Sequence, residues 1–140
     1  MEITVDDARA IVEPLYDGMN RLGTLNIEAL LDQCMTPDFQ TCANEGECIG
    51  VSELIGRWKN TAKTVPDLSW SIRDVMVSGN KIIVRGEARG TPVDTFRGLA
   101  PTGRSFRIMS IDIHTVRDGK IAQTYHIENW EGALRQLKGG

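Results

Sequence analysis

The stretch Ile111 to Leu137, IDIHTVRDGKIAQTYHIENWEGALRQL, decides how this chain is read. Two segments in which apolar and polar residues alternate flank Arg117-Asp118-Gly119, a composition that favours a tight hairpin turn. If the turn takes three residues, with Gly119 left-handed, Val116 pairs with Lys120. Asp112 then faces Thr124 and Ser110 faces His126, and all four side chains share one face. Diagonal neighbours on a face lie roughly 7–8 Å apart at the Cα, within reach of two polar side chains. A two-residue loop would instead shift the register by one and send Asp112 and His126 to opposite faces.

The hairpin has two unlike faces. Met109, Ile111 and Ile113 alternate with Ser110, Asp112 and His114, while Ile121, Tyr125 and Ile127 lie opposite Ala122, Thr124, His126 and Glu128. An ordinary half-solvated sheet would turn its polar face to water. The helices that precede it must also bury their apolar stripes, and either face could receive them. Packing on the aliphatic face leaves the polar face wet. Packing over the polar face makes a polar-floored pocket and leaves the aliphatic face for a second subunit.

Those helices come first in the chain. Thr4-Val5-Asp6-Asp7 resembles a capping box with Asp in place of Glu, and Val5, Ala8, Ile11, Val12, Leu15, Met19 and Leu22 recur at helical spacing. Pro14 falls inside that helix, where it removes a backbone bond, and Gly23 is the expected end. A second helix is predicted from Asn26, its cap, to about Cys34. Pro37 then breaks the chain before a strand at Phe39–Ala43, and a third helix follows at Glu53 to about Thr64. Strands are predicted at Ser69–Val77, Lys81–Arg89, Ser105–Val116 and Lys120–Glu128, and Asn129 caps a last helix through Leu137. Early helices and late antiparallel strands indicate an α+β fold, with helices over one sheet face.

The chain has 140 residues, which suits a single domain spanning 1–140, and no internal repeat or linker interrupts it. A net charge of −3 without basic runs argues against a nucleic-acid partner or an anionic membrane. No apolar run approaches the roughly 18 residues that cross a bilayer. The acidic start carries no apolar signal core, so a cytoplasmic location is expected. The three cysteines, Cys34, Cys42 and Cys48, form no CxxC pair. Cys42 and Cys48 could meet across a hairpin, but free, partly buried thiols are expected in a reducing cytosol. No metal-ligand spacing recurs, so no metal is expected.

Two further stretches resemble the SnoaL-like polyketide (ester) cyclases of the nuclear transport factor two-like superfamily. Gly98-Leu99-Ala100-Pro101-Thr102-Gly103-Arg104-Ser105-Phe106 is similar to the family's apolar-x-Pro-Thr-Gly-basic signature. Asp118-Gly119-Lys120-Ile121, followed by Trp130-Glu131-Gly132-Ala133-Leu134-Arg135-Gln136-Leu137, is similar to its hairpin turn and closing helix. The order of elements agrees from about residue 8 to 138. The resemblance implies a cone-shaped barrel, a curved antiparallel sheet wrapped around N-terminal helices, with an apolar pocket and a sheet face used for homodimerisation. It further implies intramolecular aldol condensation without metal or cofactor, with an acid on the last strand and a histidine on the strand before it. Here the two residue types are exchanged: His126 stands where the family has its acid, and Asp112 where it has its histidine.

His126 titrates near neutrality and is either a structural imidazole or a proton shuttle oriented by Asp112. Strands disfavour Asp, and a buried unpaired carboxylate is costly, so Asp112 is expected to pair with His126. Ser110 lacks the elbow a nucleophilic serine needs and, with Thr124, is a candidate hydrogen-bond donor to a ligand. Tyr16, Trp58 and Trp130 are candidate lining residues, while His114 is expected on the solvent side. The reading is a cyclase- or isomerase-type enzyme acting on a small hydrophobic carbonyl compound. An epoxide hydrolase on the same fold is a second option, and a non-catalytic module for ligand binding or dimerisation is a third.

Overall fold

A computed structural model describes residues 3–140. The chain folds as α1 (Val5–Met19), α2 (Ile27–Cys34), β1 (Met35–Asn44), β2 (Glu47–Ile49) and α3 (Val51–Thr64), then β3 (Ser69–Ser78), β4 (Lys81–Gly90), β5 (Phe106–Arg117), β6 (Lys120–Glu128) and α4 (Trp130–Lys138). The strands form one curved, open sheet in the order β2-β1-β6-β5-β4-β3. It is mixed, not purely antiparallel as the sequence suggested, because β1 runs parallel to β6. The α2 helix leads directly into β1, and that strand enters beside β6 with its direction already set. β1 also begins earlier than expected and runs through Pro37. The proline lacks an N–H for the ladder, and the β1–β6 pairing lapses between Met35↔Ile121 and Gln40↔Gln123.

Side-chain chemistry closes the helix ends. The Thr4 hydroxyl accepts from the Asp7 N–H at 3.1 Å, Asn26 Oδ1 from the Ala29 N–H at 3.1 Å, and Asn129 Oδ1 from the Gly132 N–H at 3.0 Å. α1 stops at Met19 rather than near Gly23, because Asn20 is spent on β3. Its side chain donates to Trp70 O at 2.8 Å and accepts from Trp70 N at 2.6 Å, which ties the end of the first helix to the sheet.

Of the two packings left open by the sequence, the helices take the polar face. Ser110, Asp112, His114 and Thr124 are buried beneath them, together with Ile82 and Val84, and Val12 of α1 is buried in the same core. Met109, Ile113, Tyr125 and Ile127 face outward, with Ile127 67% exposed. A second cluster packs Phe96, Phe106, Ile108, Ala133 and Leu137 at the α4 end. Among the described residues, no helix is long and apolar enough to cross a membrane.

Cys42 and Cys48 are joined by a disulfide, and Cys34 is free and buried. Free thiols were the expectation. The β1–β2 hairpin sets Cys42 directly opposite Cys48, and that register brings the sulfurs together. Alkylation of the denatured, unreduced protein should therefore modify only Cys34. A Cys42→Ser variant should lose on the order of 2 kcal/mol in chemical denaturation, the value expected for so short a closed loop. Alkylation of all the cysteines before reduction would contradict the pairing.

Candidate functional site

The hairpin that carries the polar groups obeys neither register considered from the sequence. Arg117 pairs with Lys120, so the turn has two residues, with Asp118 at φ 54° and Gly119 at φ 76°. Such a pair of left-handed residues suits the twist of a tight hairpin. Continued regularly, that loop would have put Asp112 and His126 on opposite faces. A bulge intervenes: Val116 pairs with Ile121 but Thr115 pairs with Gln123, leaving Ala122 as the extra residue. The parity is restored beyond it, and Ser110 faces Glu128, Asp112 faces His126, and His114 faces Thr124.

A cavity of about 330 Å³ opens above this face. Tyr16 from α1, Trp58 and Arg57 from α3, and Asp112, His114, Thr124, His126, Glu128 and Trp130 from the hairpin region all line it. Ser110 is not among its lining residues; its hydroxyl is buried against Gly86 and has no partner among the described residues. Ser110 is therefore not placed to donate to a ligand, contrary to the sequence expectation.

The polar groups form two connected sets. In the deeper set, the Tyr16 hydroxyl bonds the Asp112 carboxylate and lies 2.9 Å from His114 Nε2, while His114 Nδ1 lies 2.7 Å from Thr124 Oγ1. One donor order satisfies all these atoms: Thr124 O–H to Nδ1, Nε2–H to the Tyr16 oxygen, and Tyr16 O–H to Asp112, a tautomer assigned from the network. His114 was expected to face solvent, yet it is 2% exposed. Its parity with Ser110 and Asp112 on β5 accounts for this: the helices cover that face, and His114 lies beneath α1 opposite Thr124. Desolvation, with the charge of His126 nearby, pushes the His114 pKa down to about 4 and keeps the ring neutral.

The shallower set contains the second histidine. His126 Nδ1 lies 2.6 Å from Glu128 Oε2, and Trp130 Nε1 donates to Glu128 Oε1 at 3.1 Å. His126 is thus oriented by Glu128 and not by Asp112, whose own partner is Tyr16. Glu128 follows His126 by two residues on the same strand face, a spacing that could have singled it out in the sequence. Among the described residues none bonds His126 Nε2. Arg97, also missed, lies over Trp130 at 4.6 Å in a loop remote in sequence, and no local pattern announced it.

Environment raises both titrating groups of the pair. Burial raises the Asp112 pKa to about 6, against the pull of the Tyr16 hydrogen bond toward ionisation. His126 is raised above its ordinary value, chiefly by its hydrogen bond to Glu128. Around neutral pH a carboxylate and an imidazolium can therefore coexist directly across β5 and β6. Burial also lifts the Tyr16 phenol, so it remains a donor. Among the described residues, no group of three or more His, Cys, Asp or Glu side chains is arranged to hold a metal ion.

The family model described as SnoaL-like polyketide cyclase matches residues 16–137. Among solved structures, IdmH from Streptomyces antibioticus, a candidate polyketide cyclase, is 26% identical, with a TM-score of 0.81 over 94% of this chain and 98% of that one. TsrD from Streptomyces laurentii is also 26% identical, with a TM-score of 0.80 over 99% of this chain and 98% of that one. A candidate SnoaL-like polyketide cyclase from Jannaschia sp. CCS1 reaches a TM-score of 0.81 over 96% of this chain and 94% of that one, and at 17% identity it is alike in fold alone. No curated protein matches this chain.

The raised carboxyl of Asp112 has a consequence for stability. A group whose folded pKa exceeds its unfolded value favours folding fully below the unfolded pKa, and that contribution is lost as pH rises through the folded one. For Asp112 the window runs from 3.8 up to about 6. Above it, a buried charge opposes folding. Asp112→Asn should therefore be more stable than the parent at neutral pH, by on the order of 2 kcal/mol, and equally stable near pH 4. Thermal or urea unfolding across that range reads the difference, and a variant less stable at neutral pH would refute the assignment.

Proposed function

The chain belongs to the SnoaL-like polyketide cyclase family, and from that premise we propose that it is a cofactor-independent acid/base enzyme closing or isomerising a small hydrophobic carbonyl compound. The observation that supports this reading is the pairing of Asp112 with His126 across the hairpin, inside one cavity, with opposite charges available near neutrality. Groups tuned toward the working pH are what proton transfer requires.

In the cyclase version, the Asp112 carboxylate takes the proton from a carbon flanked by carbonyls, and the electron pair moves into an enolate. The enolate carbon attacks a second carbonyl of the same molecule, and the new alkoxide takes a proton from His126 Nε2. One proton leaves the substrate and one returns, so the product is an isomer, and solvent exchange resets the two groups. Tyr16 holds Asp112 in place, and Glu128 holds His126 as the donor. Asp112 acts here as the base rather than as the partner that orients His126. The exchange of acid and histidine relative to the family's usual positions keeps both functions in the chamber and swaps the strands that carry them. The apolar lining, including Trp58, Leu15 and Phe39, suits a hydrophobic ring system.

The outward apolar face supports a homodimer. Met109, Ile113, Tyr125 and Ile127 stand exposed side by side on β5 and β6, and such a patch on a small protein marks an interaction surface.

Two tests follow. With a panel of β-keto polyketide esters, His126→Ala should lower turnover by about 10²–10⁴-fold while circular dichroism stays unchanged. The acid limb of kcat/KM should lie near the Asp112 value of about 6 and move upward in Tyr16→Phe, which removes the donor that favours ionisation. Unchanged turnover in His126→Ala would remove the catalytic reading and leave a ligand-binding module. Separately, light scattering should give twice the chain mass of 15.5 kDa, falling to one chain in Met109→Glu/Ile127→Glu. A monomeric parent would refute the dimer.

A further inference from the structure

Two arginines line the cavity, and they are held differently. Arg57 is engaged by Glu53 at 2.7 Å along its own helix. Arg97 makes no hydrogen bond or ion pair among the described residues. It is held by aromatic contact alone, with its guanidinium carbon 4.6 Å from the Trp130 ring centre and 5.7 Å from that of Phe96. Contact of a guanidinium with aromatic rings uses its charge and leaves its N–H donors without hydrogen-bond acceptors, available for the paired oxygens of a carboxylate.

The backbone beneath Arg97 is as particular as its side chain. Phe96 and Leu99 close a tight turn with reciprocal bonds of 2.9 and 3.0 Å, and Arg97 sits in it at φ 50°, next to Gly98 at φ 85°. A long side chain at positive φ costs stability, and such positions persist where the surroundings fix them. Here the fixing surroundings are the two aromatic rings. Glu128, the cavity acid whose field reaches Arg97, is bonded instead to His126 and Trp130 and forms no ion pair with it. Removal from water disfavours the Arg97 charge, and the field of Glu128 only partly compensates.

We propose that Arg97 is a specificity residue that binds a carboxylate on the substrate, so that the cavity prefers a free carboxylic acid to its neutral ester. This rests on the reading of the cavity as a substrate site. It narrows the substrate to a hydrophobic carbonyl compound that carries an acid group. The ring system would lie among the apolar residues, and the acid would be held at the rim beside Trp130.

The test separates binding from turnover. The probes are 2-naphthoate and methyl 2-naphthoate, small enough for a chamber of about 330 Å³ and without an acidic carbon to react. Isothermal titration with the whole chain should show naphthoate binding at least about tenfold tighter than the ester at neutral pH. Arg97→Met should abolish that preference while leaving ester affinity within about twofold, and Arg97→Lys should keep part of it. Equal affinity for acid and ester, no measurable binding of naphthoate, or a preference that survives Arg97→Met would each overturn the assignment. If the acid preference behaves as stated but His126→Ala loses no turnover, the catalytic proposal fails and the carboxylate site stands. If His126→Ala abolishes turnover but Arg97→Met leaves the acid preference intact, the reverse holds.

Discussion

One extra residue governs this structure. Ala122, bulged out of the β5–β6 ladder, lets a two-residue turn coexist with a hairpin whose even-numbered residues on both strands face the same way. Side-chain direction alternates along a strand, so a single unpaired residue exchanges the faces of everything beyond it. Without it, Thr124, His126 and Glu128 would stand on the outer surface and Tyr125 and Ile127 beneath the helices. The charged pair, the Thr124 end of the histidine-tyrosine relay and the β6 half of the outward apolar stripe all depend on that one irregularity.

The resulting sheet is inverted with respect to an ordinary half-buried one. Its aliphatic face is exposed and its polar face lies under α1 and α3. Burying hydroxyls, an imidazole and a carboxylate opposes folding unless each finds a partner. The deeper set finds them in a chain of bonds from Thr124 to Asp112, and the shallower one in the clasp of Glu128 by His126 and Trp130. Apolar packing around this chamber then carries stability, through Val12, Leu15 and Tyr16 on α1 against Ile82 and Val84 on the sheet. The protein keeps a polar interior that a purely structural sheet would fill with Val and Ile.

Much of this was legible in the sequence because it rests on local rules. The caps at Thr4, Asn26 and Asn129, the strand periodicity and the parity of Asp112 with Ser110 all follow from nearest neighbours along the chain. What escaped was non-local or irregular. A bulge at Ala122 leaves no mark in composition, so the pairing of Asp112 with His126 and of His114 with Thr124 could not be foreseen. The parallel entry of β1 beside β6 depends on how distant segments dock, and the oxidation of the Cys42–Cys48 pair turned on a hairpin register that the sequence left open. The partner of Asp112 lies on α1, 96 positions away, and no reading of the hairpin alone could supply it.

In the proposed reading, the two acids of the chamber divide the labour between the exchanged residues. A carboxylate hydrogen-bonded to an imidazole favours its protonated form, whereas burial makes a carboxyl give up its proton reluctantly. Glu128 provides the first for His126, and burial beneath α1 the second for Asp112, with the Tyr16 hydrogen bond pulling part of the way back. Had Asp112 been the orienting partner of His126, one carboxylate would have served both ends, and their pKa values would have moved apart, leaving an inert ion pair. Separate environments raise both groups above their ordinary values, Asp112 to about 6, and in the proposed reading one accepts a proton while the other gives one. Glu128 is therefore as necessary to the acid/base pair as the histidine it holds, although it needs to touch no substrate.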